Sequence, residues 1–143
     1  MNEYKIVVDT REQLPLWKTN TVIKKLDAGD YSIEGFEDKI CIERKSLADL
    51  FGTLGKGHKR FKEELKRAES LDYFAIVIDG SFTSAYKKDF PGSYHSKMKG
   101  FVVTAILFTL HVKYNIPIFF AQNRTESKQI IKHLFNSFIK QQK

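Results

Sequence analysis

Short apolar runs alternate with longer stretches in which apolar and polar residues are mixed. The runs predict five strands, at residues 5–9, 31–33, 39–45, 73–79 and 117–121. Residues that favour turns bound several of them, such as Gly35 between the second and third runs and Gly80 after the fourth. The second and third runs therefore predict a hairpin, and the other three predict buried strands.

Apolar residues at helical spacing predict helices between these strands. Ser46 and Asp49 have the spacing of a capping box, so a helix should begin at Ser46. Further helices are predicted at residues 58–70, in a short part of 81–93, and at 101–112 and 125–140. Residues 101–112 are apolar nearly all round, which indicates a helix that is buried or shared with a partner subunit. We expect one α/β domain over residues 1–143, with a mixed sheet flanked by helices.

Composition and charge narrow the class of protein. The chain has 143 residues, of which 42% are hydrophobic and 29% charged, as in a globular domain. Its formal net charge of +7 favours a polyanionic partner, most simply nucleic acid, although an anionic membrane surface fits the charge equally well. No apolar run reaches the roughly 18 residues that a membrane-spanning helix needs, so we expect no membrane insertion.

The cellular location follows from what the chain lacks. Its first residues do not have the layout of a secretory signal. Cys41 is the single cysteine, which excludes an internal disulfide and a multi-cysteine zinc site. We therefore expect an intracellular protein, cytoplasmic in a bacterium or virus and nuclear in a eukaryote.

The predicted strand at residues 39–45 carries the candidate chemistry. Side chains alternate along a strand, so Glu43 and Lys45 share a face, with backbones roughly 7 Å apart. Asp30 arrives from a neighbouring segment. Carboxylates bind hard cations such as Mg²⁺, and a lysine positions or activates a water, which together predict a phosphodiester nuclease. The simpler interpretations are an exposed ion pair of Glu43 with Lys45 and a turn role for Asp30.

Three motifs follow one another in the first third of the chain. They are Asp9-Thr10-Arg11-Glu12, then Gly29-Asp30, then Glu43-Arg44-Lys45 with Asp49 four residues on. This set resembles the nuclease domain of the XPF/Mus-type family, whose pattern is Gly-Asp, a variable gap, Glu-Arg-Lys, three residues and Asp. The resemblance implies the restriction-endonuclease-like PD-(D/E)XK fold and cleavage of DNA near junctions between duplex and single strand, with Mg²⁺ or Mn²⁺.

The resemblance also implies a role for each matching residue. Asp30 and Glu43 would bind the metal with Asp9, and Lys45 would orient the attacking water and stabilise charge on the phosphate. Supporting roles are implied at Arg11, Glu12, Arg44 and Asp49. Two of these have structural alternatives: Asp49 is also the third helical residue of the capping box, and Arg44 alternates onto the opposite face, where it would pair with an acid beneath the sheet.

The basic residues of the second predicted helix have two interpretations. Lys59 with Glu63, and Glu63 with Arg67, have the spacing of ordinary helical ion pairs, which indicates a solvated face. Proximity to the candidate site favours phosphate contacts instead. The predicted DNA-binding residues are Lys56, His58, Lys59 and Arg60.

The resemblance extends to partners and leaves alternatives for function. Family members usually continue into helix-hairpin-helix modules, and none is predicted here, so the DNA structure that is recognised stays open. Members also pair through the nuclease domain, which implies a homodimer or heterodimer through the helix at 101–112 or the last helix. We expect an endonuclease acting on branched, flap or junction DNA in repair, recombination or replication. A non-catalytic DNA-binding or scaffold subunit and a sequence-specific restriction-type endonuclease are the alternatives.

Overall fold

A mixed β-sheet of six strands lies at the centre of the computed structural model, which describes residues 4–142. The strands are β1 (Ile6–Asp9), β2 (Thr21–Lys24), β3 (Tyr31–Ile33), β4 (Ile40–Ser46), β5 (Tyr73–Asp79) and β6 (Ile118–Ala121). Their order across the sheet is β2-β1-β3-β4-β5-β6. β3 runs antiparallel to β1 and β4, and the other neighbouring pairs are parallel. The predicted mixed sheet and the β3–β4 hairpin are confirmed.

Helices cover both faces of this sheet. Within residues 4–142 they are α1 (Leu47–Leu54), α2 (His58–Ala68), α3 (Phe82–Lys87), α4 (Gly100–Tyr114) and α5 (Arg124–Gln141), with a 3₁₀ turn at Ser93–His95. Ser46 caps α1 as predicted, because its side chain accepts a hydrogen bond from the N–H of Asp49 at 3.1 Å. None of these helices, among the residues described, has the length and apolar character needed to cross a membrane.

Two apolar cores form, one on each face of the sheet. The alternation of side chains along β5 sends Ile76 and Ile78 into the core beneath α1, α2 and α4, and Ala75 and Val77 into the core beneath α5. The second core closes on Phe135, which is fully buried. Because both faces of the central strands are covered, a polar side chain on β4 must find a partner on one side or the other.

Two elements depart from the sequence prediction. β2 was not predicted as a strand, because it pairs only with β1 at the edge of the sheet and its Ile23 is 70% exposed. α4 is a helix as predicted, but it is buried only along one side. Phe101 and Val112 on its other side are 54% and 80% exposed, because nothing in the described chain covers them.

Candidate active site

Hydrogen bonds to two strands hold Asp30 in place at the start of β3. Its N–H donates to the carbonyl of Ile42 at 2.8 Å, and its own carbonyl accepts from the N–H of Asp9 at 2.9 Å. Its carboxylate accepts from the N–H of Arg44 at 2.8 Å. The pairing of β4 with β3 ends at Ile42, so the N–H of Arg44 has no partner on β3. The side chain of Asp30 accepts its hydrogen bond instead.

The glycine before Asp30 is required by the shape of the turn. Gly29 has φ +84°, a conformation that residues with a Cβ rarely adopt. A Cβ added there would lie 3.1 Å from the Cβ of Cys41 and from the carbonyl oxygen of Ile42. The Gly-Asp motif therefore brings the backbone close against β4 and delivers the carboxylate of Asp30 to that strand.

Glu43 and Lys45 lie on one face of β4, as their spacing predicted. The Nζ of Lys45 is 2.7 Å from Oε2 of Glu43, and Glu43 is only 3% exposed. Lys45 is half-buried and lies over the ring of Phe61 on α2. The interpretation of these two residues as an exposed pair on an edge strand is wrong, because β4 lies between β3 and β5 in the sheet.

A further acid, Glu64 on α2, reaches the same place. Its Oε2 accepts a hydrogen bond from the N–H of Gly29 at 2.8 Å, and it lines a cleft of about 410 Å³ together with Lys45. The sequence analysis did not select it. Its position between Phe61 and Leu65, two of the three buried residues of α2, is the signal that places it on the sheet side of the helix.

Burial and mutual repulsion shift the pKa values of this group. Burial, reinforced by the charges of Asp30 and Glu64, raises the pKa of Glu43 well above its ordinary value. Burial also raises the pKa of Asp30 to about 7, although the N–H of Arg44 opposes the shift. Burial disfavours the charged amine of Lys45, but Glu43 and the other acids outweigh it and raise its pKa. One amine thus faces three carboxyl groups, and Asp30 and Glu43 are the two of them whose pKa is raised.

Asp9 is engaged in a different way. One carboxylate oxygen accepts from the N–H of Leu26 at 2.7 Å, and the other accepts from Nε of Arg11 at 2.8 Å. Burial opposes the charge of Asp9, but these bonds outweigh it and lower its pKa. Arg11 therefore already compensates Asp9, whose role as a metal ligand stays a prediction. Within residues 4–142 no three His, Cys, Asp or Glu side chains are arranged to hold a metal ion.

Arg44 points to the other face of β4. Its guanidinium lies 2.5 Å from Asp79 at the end of β5 and 3.7 Å from Glu12. The hydroxyl of Ser127 on α5 donates to Asp79, and the hydroxyl of Tyr31 donates to Glu12 at 2.9 Å. The predicted pairing of Arg44 with an acid beneath the sheet is confirmed, and Glu12 belongs to this network.

The sequence of the chain matches a known family of domains. Residues 8–134 match the sequence model of the ERCC4 domain. The chain belongs to the ERCC4 domain family. This confirms the resemblance to XPF-type nuclease domains that the motifs indicated.

Solved structures agree with that assignment at the level of the fold. The ERCC4 domain is similar to XPF from Aeropyrum pernix, with a TM-score of 0.69 and 22% identity over 92% of this chain and 60% of that one. XPF from Aeropyrum pernix in complex with DNA gives the same TM-score and identity over 96% and 66%. The chain thus spans less than two-thirds of either structure. The fold is restriction-endonuclease-like, as predicted. No curated protein sequence matches the chain.

The predicted DNA-binding residues of the ERCC4 domain lie around the start of α2. Lys56, Lys59 and Arg60 are exposed there, and Arg60 lines the same cleft as Lys45 and Glu64. His58 turns away from this cleft toward α4, where its Nε2 is buried and has no hydrogen-bond partner among residues 4–142. The structure therefore brings Arg60 to the site and places His58 outside it.

Asp49 lies at the rim between two openings of the ERCC4 domain. It lines the cleft that contains Lys45 and also a second one, on the other side of α1, that contains Arg11 and Arg44. Its N–H is used by the cap of α1, while its side chain is exposed to solvent. Asp49 is the third residue of α1 and its N–H takes part in the cap as predicted, whereas a catalytic role stays a prediction.

Proposed function

We propose that this ERCC4 domain is a metal-dependent endonuclease that hydrolyses DNA phosphodiester bonds at branched, flap or junction structures, in repair, recombination or replication. The observation that carries the proposal is the convergence of Asp30, Glu43 and Lys45 on one side of β4, beside a cleft that Arg60 also lines. The similarity to a structure of XPF in complex with DNA supports a DNA substrate.

The carboxylates of Asp30 and Glu43 are the groups that would hold Mg²⁺ or Mn²⁺. Mg²⁺ is commonly bound through one or two carboxylates, with waters and substrate phosphate oxygens completing its coordination. Asp30 is already oriented by the N–H of Arg44, and Glu43 by the sheet. Asp9 would join them only by giving up hydrogen bonds from Arg11. A bound divalent ion polarises a phosphate and lowers the pKa of a coordinated water.

The remaining residues bind and orient the substrate. Lys45 is held as a cation by the surrounding acids, so it can donate a hydrogen bond to the attacking water or to a phosphate oxygen. Arg60, Lys59 and Lys56 lie where a DNA backbone would enter the cleft, and their contacts would be non-specific and sensitive to salt.

Two alternatives concern the chemistry. A DNA-binding or scaffold subunit would not need the complete Glu-Arg-Lys set, which counts against that function. A restriction-type endonuclease would need surfaces that read base edges.

A substrate panel separates these possibilities. The protein is incubated with Mg²⁺ or Mn²⁺ and labelled flap, fork, plain duplex and single-stranded DNA. We expect metal-dependent cleavage of the branched substrates. The absence of cleavage of any substrate with either metal would overturn the enzyme and favour the scaffold. Cleavage of plain duplex at one sequence would favour the restriction-type enzyme.

We also propose that α4 pairs with a second subunit, either another copy of this chain or a related partner. Phe82, Tyr86 and Phe108 are 43%, 52% and 42% exposed and form one aromatic surface with Phe120, with ring centroids 5.7–6.4 Å apart. Exposed apolar patches of this kind mark interaction sites. The main apolar residues of α5 face the core instead, which favours α4 over the last helix.

Sedimentation of the wild type and of Phe108→Lys tests the pairing. A homodimer of the wild type should become a monomer in the variant. Leu14→Lys is the matched control, since Leu14 is 71% exposed and lies in the loop after β1. A monomeric wild type would overturn the homodimer and leave the related partner.

A further inference from the structure

Two side chains of α2 grip the turn that leads into Asp30. Glu64 accepts a hydrogen bond from the N–H of Gly29 at 2.8 Å, and Nε of Arg67 donates to the carbonyl of Asp27 at 2.7 Å. Glu64 and Arg67 are three residues apart on α2, so they project from the same side of the helix. One helix therefore holds both ends of the segment from Asp27 to Gly29.

The contact with Gly29 cannot be replaced by the sheet. Gly29 is buried and its N–H donates to Glu64, while the β4 carbonyl that approaches Gly29, that of Ile42, accepts from the N–H of Asp30. A buried backbone donor without a partner is unfavourable, so the carboxylate of Glu64 stabilises this conformation of the turn. Since Asp30 is the next residue, its position depends on this hydrogen bond.

The same helix carries Arg60, the basic residue that lines the cleft where DNA would bind. Arg60 precedes Glu64 by four residues, one helical turn, and both line the cleft that contains Lys45. Arg60, which would bind a phosphate, and Glu64, which bonds the turn before Asp30, thus belong to one helix. The position of this helix therefore relates the bound phosphate to the carboxylate of Asp30.

We infer that Glu64 is a positioning residue, whose hydrogen bond to Gly29 fixes the carboxylate of Asp30 relative to the DNA-binding side of α2. This inference rests on the proposed nuclease function and assigns Glu64 a role as a hydrogen-bond acceptor. It does not require Glu64 to touch the substrate or the metal. Because only an acceptor is needed, the amide oxygen of glutamine is sufficient.

Three variants test the role: Glu64→Ala, Glu64→Gln and, as a matched control, Glu63→Ala. Glu63 is the exposed neighbour on the same helix. The first measurement is hydrogen exchange of the Gly29 amide, by NMR, in the metal-free protein without DNA. Glu64→Ala should raise the exchange rate by about tenfold or more, because the amide loses its partner. Glu64→Gln and Glu63→Ala should leave it near the wild-type rate.

The second measurement is cleavage of the best substrate from the panel. Glu64→Ala should lower kcat by about 10- to 100-fold with little change in KM, because a misplaced catalytic group slows the reaction without weakening the grip on DNA. Glu64→Gln should restore most of the rate. This rescue would show that Glu64 acts as a hydrogen-bond acceptor and not through its negative charge, because glutamine is uncharged.

Each outcome decides the inference. An unchanged exchange rate at Gly29 in Glu64→Ala would overturn the contact, and a rate of cleavage as low in Glu64→Gln as in Glu64→Ala would show that the charge is what acts. If the wild type cleaves no DNA, the proposed function fails and the catalytic part of this role fails with it. The exchange measurement would still decide whether Glu64 holds the turn.

Discussion

The two faces of β4 carry similar residues in different electrostatic settings. On one face Lys45 lies 2.7 Å from Glu43, and on the other Arg44 lies 2.5 Å from Asp79. The pair around Arg44 is complete, because Glu12 and a serine hydroxyl satisfy the remaining groups. The face with Lys45, Glu43 and Asp30 (the open face) has more carboxyl groups than one amine can neutralise. The face with Arg44, Asp79 and Glu12 is the closed face.

Three consecutive residues of β4 therefore have different expected roles: Arg44 would stabilise the fold, whereas Glu43 and Lys45 would take part in the reaction. A buried ion pair whose groups all have partners holds the strands and helices around it together. A buried group with excess negative charge is unfavourable without a cation and is therefore suited to bind one. Under the proposed function, the Glu-Arg-Lys motif combines a structural residue, Arg44, with two residues of the reaction site, Glu43 and Lys45, on the opposite face of the strand.

Removing the amine on the open face should produce the largest effect. Lys45→Ala should lower the rate of DNA cleavage by about 10²–10³-fold, since a preorganised charge at the reacting phosphate is lost. DNA binding, measured by gel shift in Ca²⁺, should stay within about twofold, because the other basic residues remain. Lys39→Ala, an exposed lysine before β4, is the control. Cleavage at the wild-type rate in Lys45→Ala would remove this residue from the mechanism.

Removing Arg44 from the opposite face should instead destabilise the folded protein. Arg44→Ala leaves Asp79 and Glu12 without their cation in a largely buried place, which costs about 3 kcal/mol. Urea denaturation measures the loss, and Arg44→Lys should fall in between because it keeps the charge but not the planar fork. Wild-type stability combined with weaker DNA binding would make Arg44 a phosphate contact.

The titration of Asp30 gives a test that needs no substrate. Burial raises its pKa from 3.8 to about 7, so the folded protein keeps a proton that the unfolded chain releases. The free energy of unfolding of the metal-free protein should therefore fall as pH rises from 3.8 to about 7, and this contribution should be constant at higher pH. Asp30→Asn, whose amide oxygen can still accept from Arg44, should lack this contribution.

Denaturation of both proteins across this pH range provides the comparison. The stability of Asp30→Asn relative to wild type should increase with pH, and Mg²⁺ should stabilise the wild type more at alkaline than at acidic pH, because the metal must displace the proton. Asp38→Asn, in the exposed turn between β3 and β4, is the control. Stability curves that run parallel for Asp30→Asn and wild type would contradict the raised pKa.

The smallest expected effect concerns the basic residues above the open face. Lys59→Ala and Arg60→Ala should each weaken DNA binding severalfold and reduce the slope of log K against log salt by about one. Lys140→Ala, near the end of α5 over the closed face, should change neither. Fluorescence anisotropy at several salt concentrations measures all three, and equal losses in every variant would indicate binding by net charge alone.

The sequence predicted the parts of the site that depend on local geometry. The alternation of side chains in β4 placed Glu43 with Lys45 and Arg44 opposite them, and the cap at Ser46 set the start of α1. The sequence could not predict which acid pairs with Arg44, because only the parallel register of β4 and β5 brings Asp79 within reach.

The missed features depend on contacts between distant segments. Glu64 belongs to a helix whose charges suggested a solvated face, and only the docking of α2 against the turn at Gly29 brings it inward. The exposed side of α4 was missed for the same reason. Apolar residues all round a helix do not tell which side the chain itself covers, and here Phe108 stays outside.

The way in which Asp30 attaches to β4 explains the spacing of the motif. Its carboxylate is located by the amide of Arg44 and by the pairing of Tyr31 with Ile42, both of which lie on the strand side of the hairpin. The connecting loop at residues 34–39 takes no part in that geometry. A change in the length of this loop would therefore leave the two acids in place, which agrees with the variable gap in the XPF-type pattern that the motifs resemble.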